Sequence, residues 1–452
     1  MRFRVAVIGA GPSGFYSAGQ LLDAGFDVDL FDALATPFGL VRAGVAPDHP
    51  KIKSVIRVYE KVAAKDGFRF FGGVVLGRDI SREDLLERYH GIVYAVGAAT
   101  DNHLRIPGEE LAGSHPATEF VAWYNGHPDY AEHTFDLSAH RAVVIGNGNV
   151  ALDVARMLVL DPEALAVTDT ADHALTALNT ANIREVVVLG RRGPAQAAFT
   201  TPELRELADI SRLDVVVDPA ELELDPHSAA WVETEAGNTV RRNLDALRGY
   251  AERDLTGASH RMIFTFLASP VEILGTQDGR VRGIRVVRNR IEADVDGRAR
   301  AVPTGAEEII ECGLVLRSIG YRGQALPEVP FDERRGLIPN EHGRVLGEDG
   351  VVLRGEYAVG WIKRGPTGVI GTNRKDATDT VAQIREDAES GALNKPRLDA
   401  SWPDFPGQVD WRGWTAIDRH EVATGKPLGR PRVKLVRHQD FLDVARASPD
   451  TR

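Results

Sequence analysis

Two short glycine-rich stretches carry the residues whose spacing could do chemistry. The first is Gly9-Ala10-Gly11-Pro12-Ser13-Gly14, followed 18 residues after its last glycine by Asp32. In such a pattern Gly9 allows a tight turn, Gly11 admits a pyrophosphate to the backbone, and Gly14 lets a helix lie close to a strand. The free N–H groups and positive end of that helix attract the phosphates, and a carboxylate such as Asp32 accepts ribose hydroxyls. The second stretch is Gly146-Asn147-Gly148-Asn149-Val150-Ala151, with alanine in place of the third glycine. Where the first unit has an acid, the second has Gly190-Arg191-Arg192. Two guanidiniums can hold a 2′-phosphate in a fork that an acid would repel. The first site therefore predicts FAD and the second NADP(H). Two dinucleotides in one chain point to hydride transfer between nicotinamide and flavin.

The elements needed to position these residues are legible around them. Val5–Ile8 reads as a buried parallel strand, residues 15–24 as a helix closed by Gly25, and Val28–Phe31 as a second strand. The run from Thr36 to Pro50 is long and rich in turn residues for a simple connection, which predicts contact with a ligand. Ala142–Ile145 and a helix ending near Leu160 repeat the grammar, with Val186–Leu189 as the later strand and residues 161–182 as an Ala/Thr/Asp-rich insertion. Met262–Phe266, Val281–Val287 and Glu308–Leu316 alternate in the manner of an antiparallel or mixed sheet. A strand near Tyr357–Val359 precedes Gly360-Trp361 and a helix; residues 393–440 give no clear assignment, and the tail from Ala445 is expected to fray.

Composition limits the alternatives. The chain has 452 residues, 43% of them hydrophobic and 26% charged, as in ordinary globular proteins. A net charge of −11 disfavours nucleic acid, which needs a basic surface. One cysteine, Cys312, allows no internal disulfide, redox cysteine pair or cysteine-ligated iron–sulfur cluster. No metal site is expected, and no apolar run approaches the ~18 residues of a membrane span. The strand that starts within a few residues of Met1 leaves no room for a targeting peptide, so a cytoplasmic location is expected.

Longer motifs carry a family resemblance. They are Pro37-Phe38-Gly39-Leu40-Val41-Arg42 with Gly44–Pro50, then Gly146–Arg156, Gly190–Pro194, Phe199–Leu207 and Gly360–Asn373. Through these the chain resembles the adrenodoxin reductase-type ferredoxin–NADP+ reductases from Val5 to about Val433. The resemblance implies an α/β fold of two Rossmann-like dinucleotide-binding domains in a glutathione reductase-like architecture. The NADP domain (104–316) would be inserted into an FAD domain made of 1–103 and 317–452, with hinges near Arg105–Gly108 and Ile319–Arg322. It implies FAD contacts at Ser13, Asp32, Leu40, Leu76, Trp361, Gly368, Val369 and Ile370. It implies NADP contacts at Asn147, Gly148, Asn149, Val150, Arg191, Arg192, Glu203 and again Gly368. His49 and Glu206 would lie near nicotinamide and flavin, positioning groups and supplying a proton to the reduced flavin.

This sequence departs from its relatives at Asp32, where they carry Glu, and at Asn102, where a basic NADP contact is found. The implied activity is NADPH:ferredoxin or flavodoxin oxidoreduction, with electrons passed singly to a separate carrier such as one serving cytochrome P450 systems. The alternatives are an NADPH-dependent flavin monooxygenase and a non-catalytic NADP-sensing flavoprotein. An acidic carrier would dock on a basic patch, expected at Arg241, Arg242 and Arg248, with Lys363, Arg364, Arg374 and Lys375 as a second group.

Overall fold

The computed structural model describes residues 2–295, 297–368 and 370–447. These form two compact units. The first comprises the residues up to Thr100, Asn125–Ala131, and those from Gly320 on; the second comprises Asp101–Tyr124 and Glu132–Ile319. The expected inserted range 104–316 is thus interrupted: the short segment 125–131 packs with the first unit. Of the two expected hinges, Ile319–Arg322 spans a crossing between units, whereas Arg105–Gly108 lies inside the second.

The first unit is built on a seven-stranded sheet, ordered Asn340–Glu341, Arg344–Leu346, Val352–Ala358, Gly91–Tyr94, Arg4–Ile8, Asp27–Asp32, Phe68–Gly72. The last five run parallel, and the first two add antiparallel at one edge. Val5, Ala6 and Val7 are wholly buried, because a central parallel strand is covered on both faces. Chain order reverses at Arg4–Ile8, whose neighbours are Asp27–Asp32 on one side and Gly91–Tyr94 on the other. The crevice at the carboxyl end of such a strand is where open α/β sheets bind ligands.

Helix Pro12–Asp23 follows that strand, with proline in its first turn and Phe15, Ala18 and Leu21 buried. Phe15 stacks on Tyr59 with ring centroids 4.9 Å apart, and Phe38 meets Trp414 edge-on at 5.5 Å. Trp414 belongs to helix Trp411–Gly425, which closes this aromatic cluster together with Ile417 and Phe441. The stretch 393–440, unassigned from sequence, therefore completes the core of the first unit. Ala445, where fraying was expected, is buried; residues beyond 447 lie outside the described set.

The second unit holds a six-stranded sheet, Ser114–Pro116, Leu314–Arg317, Arg141–Ile145, Glu185–Leu189, His260–Thr265, Leu213–Val217, every pair parallel. Ala268–Gly275, Val281–Ala293 and Ala299–Glu311 form a separate antiparallel sheet. Two strands expected with these in one antiparallel or mixed sheet belong elsewhere: His260–Thr265 and Leu314–Arg317 enter the parallel sheet. Breaks at Phe266–Leu267 and at Cys312–Gly313 separate strands of different sheets, which alternation alone does not reveal. Cys312 is buried, and desolvation pushes its thiol up to about 12. The insertion 161–182 folds as two short helices, Pro162–Ala166 and Asp172–Asn179.

Candidate dinucleotide sites

In the first unit each glycine of the first motif has a distinct steric reason. Gly9 has φ +109°, and a Cβ there would come within 2.6 Å of the Ala95 carbonyl oxygen. A Cβ at Gly14 would lie 1.9 Å from the Gly9 oxygen. A Cβ at Gly11 would meet nothing within 4 Å, so the motif leaves open space at the point where a phosphate would approach. Helix Pro12–Asp23 has no side-chain cap, which leaves its first N–H groups to a ligand. Asp32 accepts the Ala10 N–H at 2.7 Å and the Leu34 N–H at 2.8 Å. Desolvation outweighs those two bonds and pushes its carboxyl up to about 6. The carboxylate keeps lone pairs for two ribose hydroxyls. The donor set fits a dinucleotide with an unphosphorylated ribose.

The loop after Asp32 is more ordered than a turn-rich sequence suggests. It contains the short helix Leu40–Ala43 and leads through His49 into Pro50–Lys53. Phe38 donates its N–H to the Ala10 carbonyl at 2.8 Å, and a Cβ on Gly39 would sit 3.0 Å from the Gly11 Cα. The loop thus packs on the glycine turn itself. It is anchored from behind by Arg42, whose guanidinium donates to both carboxylate oxygens of Glu421 at 2.8 and 2.5 Å. Glu421 is fully buried and also accepts from Arg432 and the Leu435 N–H. Leu40 is partly exposed at the start of its helix, whereas Leu76 is buried in the core with Phe31, Val74 and Ile80.

The strand Val352–Ala358 delivers Gly360 to the same turn. Gly360 has φ +78°, and a Cβ there would lie 2.1 Å from Ser13 Oγ. Its N–H donates to Asp376 at 2.5 Å, and Asp376 also holds Lys363 Nζ at 2.8 Å. Trp361 donates its indole N–H to the Thr367 carbonyl at 3.2 Å and lies tilted against Tyr321. Gly368 is exposed with φ +82°, and Ile370 opens helix Ile370–Ser390 and packs on the core. Val369 lies outside the described residues. Lys363 and Arg364, expected in a docking patch, are instead structural: Lys363 pairs with buried Asp376, and Arg364 donates to Asn373 at 2.9 Å. Arg374 and Lys375 are exposed.

In the second unit a Cβ at Gly146 would lie 2.1 Å from the Ser318 oxygen, while one at Gly148 would meet open space, as at Gly11. Gly190 gives room to Asn147, whose Nδ2 a Cβ would overlap at 1.7 Å. Asn147 Oδ1 is buried with no hydrogen-bond partner, a polar atom that a ligand would satisfy. Asn149 Oδ1 accepts the Thr200 N–H at 2.7 Å, and Val150 continues the first turn of helix Asn149–Val159. Arg156, buried on that helix, sits 2.8 Å from Asp153 and 3.5 Å from Glu203. It thereby ties down helix Thr201–Glu206, on which Glu203 is buried and Glu206 exposed.

Arg191 and Arg192 are exposed at the end of strand Glu185–Leu189, and neither has a carboxylate within ion-pair distance among the described residues. Partial desolvation and the like charge of Arg191 lower the Arg192 guanidinium from its ordinary value. Two adjacent cations left unneutralised favour a dianion between them. Asn102 donates to the Ile319 carbonyl at 3.4 Å.

Of the expected docking residues, Arg241 is committed to capping: it donates to the Val232 and Glu233 carbonyls at 2.9 and 3.2 Å. Arg248 lies 3.4 Å from Asp245, and Arg242 is exposed. No helix among the described residues is long and apolar enough to cross a membrane.

Two Rossmann-type sheets, each with a glycine turn shaped for a dinucleotide, define a pyridine-nucleotide-linked oxidoreductase. Consistent with this, the family model described as pyridine nucleotide-disulphide oxidoreductase matches residues 3–188. The chain is 50% identical to NADPH-ferredoxin reductase FprA of Mycobacterium leprae, with 97% of this chain and 98% of that protein covered. It is 40% identical to the mitochondrial NADPH:adrenodoxin oxidoreductase of Arabidopsis thaliana, over 98% of this chain and 95% of that one. The solved structure of Mycobacterium tuberculosis FprA in complex with NADPH superposes with a TM-score of 0.92 at 48% identity, covering 99% of this chain and all of that one. The chain belongs to the adrenodoxin reductase-type family of ferredoxin–NADP+ reductases, enzymes that work with FAD and NADP(H).

Proposed function

We propose that this protein is an NADPH:ferredoxin oxidoreductase, able to serve a flavodoxin in place of the ferredoxin. One observation carries the reading: the two strand ends that face ribose differ in chemistry, a carboxylate at Asp32 and an unpaired double guanidinium at Arg191 and Arg192. The first suits FAD and the second the 2′-phosphate of NADP(H). When bound, FAD supplies the change from a two-electron hydride to single electrons.

The residues of this chain bind and orient. The turn Gly9–Gly14 and the uncapped helix behind it hold the flavin nucleotide's phosphates, with Asp32 on its ribose. Gly360, fixed by Asp376 against Ser13, shapes the floor of the same site. Asn147–Val150 hold the second pyrophosphate, and Glu203, braced by Arg156, positions the nicotinamide side. His49 and Glu206 are read as positioning groups that supply a proton to reduced flavin. The two units are read as the FAD-binding and NADP-binding domains. An acidic carrier is read as docking partly through Arg242 and Arg248, and the enzyme as cytoplasmic. The test is anaerobic mixing with NADPH followed by a panel of purified ferredoxins and flavodoxins. Rapid bleaching of the flavin absorbance, then its recovery on adding a carrier, is the expected result. Bleaching with no carrier reduced would overturn the reading.

A further inference from the structure

Between His49 and Lys65 stand five Lys or Arg residues and a single acid, Glu60, in a chain whose net charge is −11. The arginine-rich stretch from Arg280 to Arg290 is largely neutralised by contrast. Arg280, Arg285, Arg288 and Arg290 all sit in ion pairs with Asp136, Glu272, Glu221 and Glu292 respectively. In the run after His49, Lys65 pairs with Asp23 at 2.5 Å and Lys53 is held in part by Asn125. Lys51, Arg57 and Lys61 are exposed and make no ion pair with any described residue. Helix Ile56–Ala63 buries Tyr59 and Val62, and this turns Arg57, Val58 and Lys61 outward. Ile52 and Val58 stand among the cations, 41% and 47% exposed. Glu60 makes no close ion pair with a described residue; desolvation and Asp418 raise its carboxyl, against the opposing charges of Arg432 and Arg57.

The position of this ridge links it to the flavin side. It continues directly from the loop that packs on the Gly9–Gly14 turn, through His49, whose carbonyl accepts the Ile52 N–H at 3.2 Å. Unpaired long cations interleaved with aliphatic side chains complement an acidic protein face: the charges steer and the aliphatics seal the contact. Two half-exposed aliphatic side chains are too few to seat a helix in a lipid surface. We propose that Lys51, Ile52, Arg57, Val58 and Lys61 dock the acidic face of the one-electron carrier. The proposal rests on the reading of the protein as a ferredoxin reductase.

The test compares FAD-loaded wild type with Lys51→Glu/Arg57→Glu/Lys61→Glu. Each is assayed for NADPH-driven reduction of an acidic [2Fe–2S] ferredoxin and of an uncharged quinone, at about 20 mM and about 300 mM salt. At low salt the variant's KM for ferredoxin is expected to rise roughly tenfold or more, and the gap to narrow at high salt. FAD content and quinone reduction are expected to stay at the wild-type level, which separates lost docking from lost folding. Ile52→Ser/Val58→Ser is expected to raise the ferredoxin KM without changing its salt dependence. A variant KM and salt dependence equal to wild type, with ferredoxin still reduced, would overturn the docking ridge and leave the enzyme reading standing. A wild type that reduces the quinone but no ferredoxin at either salt would overturn both. Co-sedimentation of wild type, but not the variant, with phosphatidylserine vesicles, at an unchanged ferredoxin KM, would assign the ridge to a membrane surface instead.

Discussion

Nucleotide choice in this protein comes down to a few side chains and the charge they keep. Arg191 and Arg192 meet no carboxylate among the described residues, so their field is available to a 2′-phosphate. Replacing both with alanine removes two charge-assisted contacts and should weaken NADPH by on the order of 2–5 kcal/mol. NADH, which lacks the phosphate, should be used nearly as before. Steady-state kinetics with both nucleotides checks this, and an unchanged KM for NADPH would place the phosphate elsewhere. Asp32 makes a second prediction through pH. Its carboxyl is pushed up to about 6, so the flavin-free fold takes up a proton there as pH falls. A raised acid of this kind costs stability as pH climbs through the window from about 4 to about 6, and contributes none at neutral pH. Only the ionised form accepts from two hydroxyls, so FAD affinity should drop below pH 6, by up to about tenfold per pH unit. Fluorescence titration of flavin-free protein between pH 5 and 8 measures it. Asp32→Asn should bind weakly at every pH, with a flat profile.

Among the elements, those that touch the glycine turns were legible in sequence and those that brace them were not. The strand–turn–helix units announced themselves because their constraints are local: a positive φ at Gly9, close approach at Gly14, an acid or an arginine pair at the next strand end. Asp376 escaped notice, and Lys363 reads as surface charge, because an ion pair between helices Trp361–Arg364 and Ile370–Ser390 leaves no spacing signal. Arg42 and Glu421 lie 379 residues apart, and only folding reveals that one anchors the loop of the other. Helix Trp411–Gly425 is hidden for the same reason: its partners in the core lie far away in sequence. The buried pair makes a prediction. Glu421→Gln leaves Arg42 and Arg432 without their shared carboxylate and should cost about 3–5 kcal/mol. Urea unfolding followed by flavin fluorescence should show the midpoint falling, with flavin lost from the folded protein as the loop loosens. A midpoint within error of wild type would mean that the pair contributes nothing to the seating of the loop.

Taken as a whole, the molecule is acidic, and its proposed partner is acidic too. Net repulsion must then be overcome by local fields, which salt screens over ~10 Å at 0.1 M. Ferredoxin reduction should therefore slow as ionic strength rises, while reduction of an uncharged quinone should not. Arg242→Gln/Arg248→Gln should reduce the low-salt rate with ferredoxin and leave Arg241, which caps helix Pro226–Thr234, in place. Stopped-flow traces at a series of salt concentrations decide it. A rate independent of salt, and equal in the variant, would remove electrostatic steering from the account.

The lone thiol has a practical consequence. Cys312 is the one cysteine of the chain, sealed in the second unit and with its thiol pushed up to about 12, so almost none of it is thiolate at neutral pH. Maleimides and mild peroxide will pass it by. The native sequence is in effect a cysteine-free background. A cysteine introduced at an exposed position such as Ser54, beside the proposed ridge, would be the sole reactive thiol, and a spin label or dye attached there would report carrier binding without any prior mutation to silence the rest of the molecule.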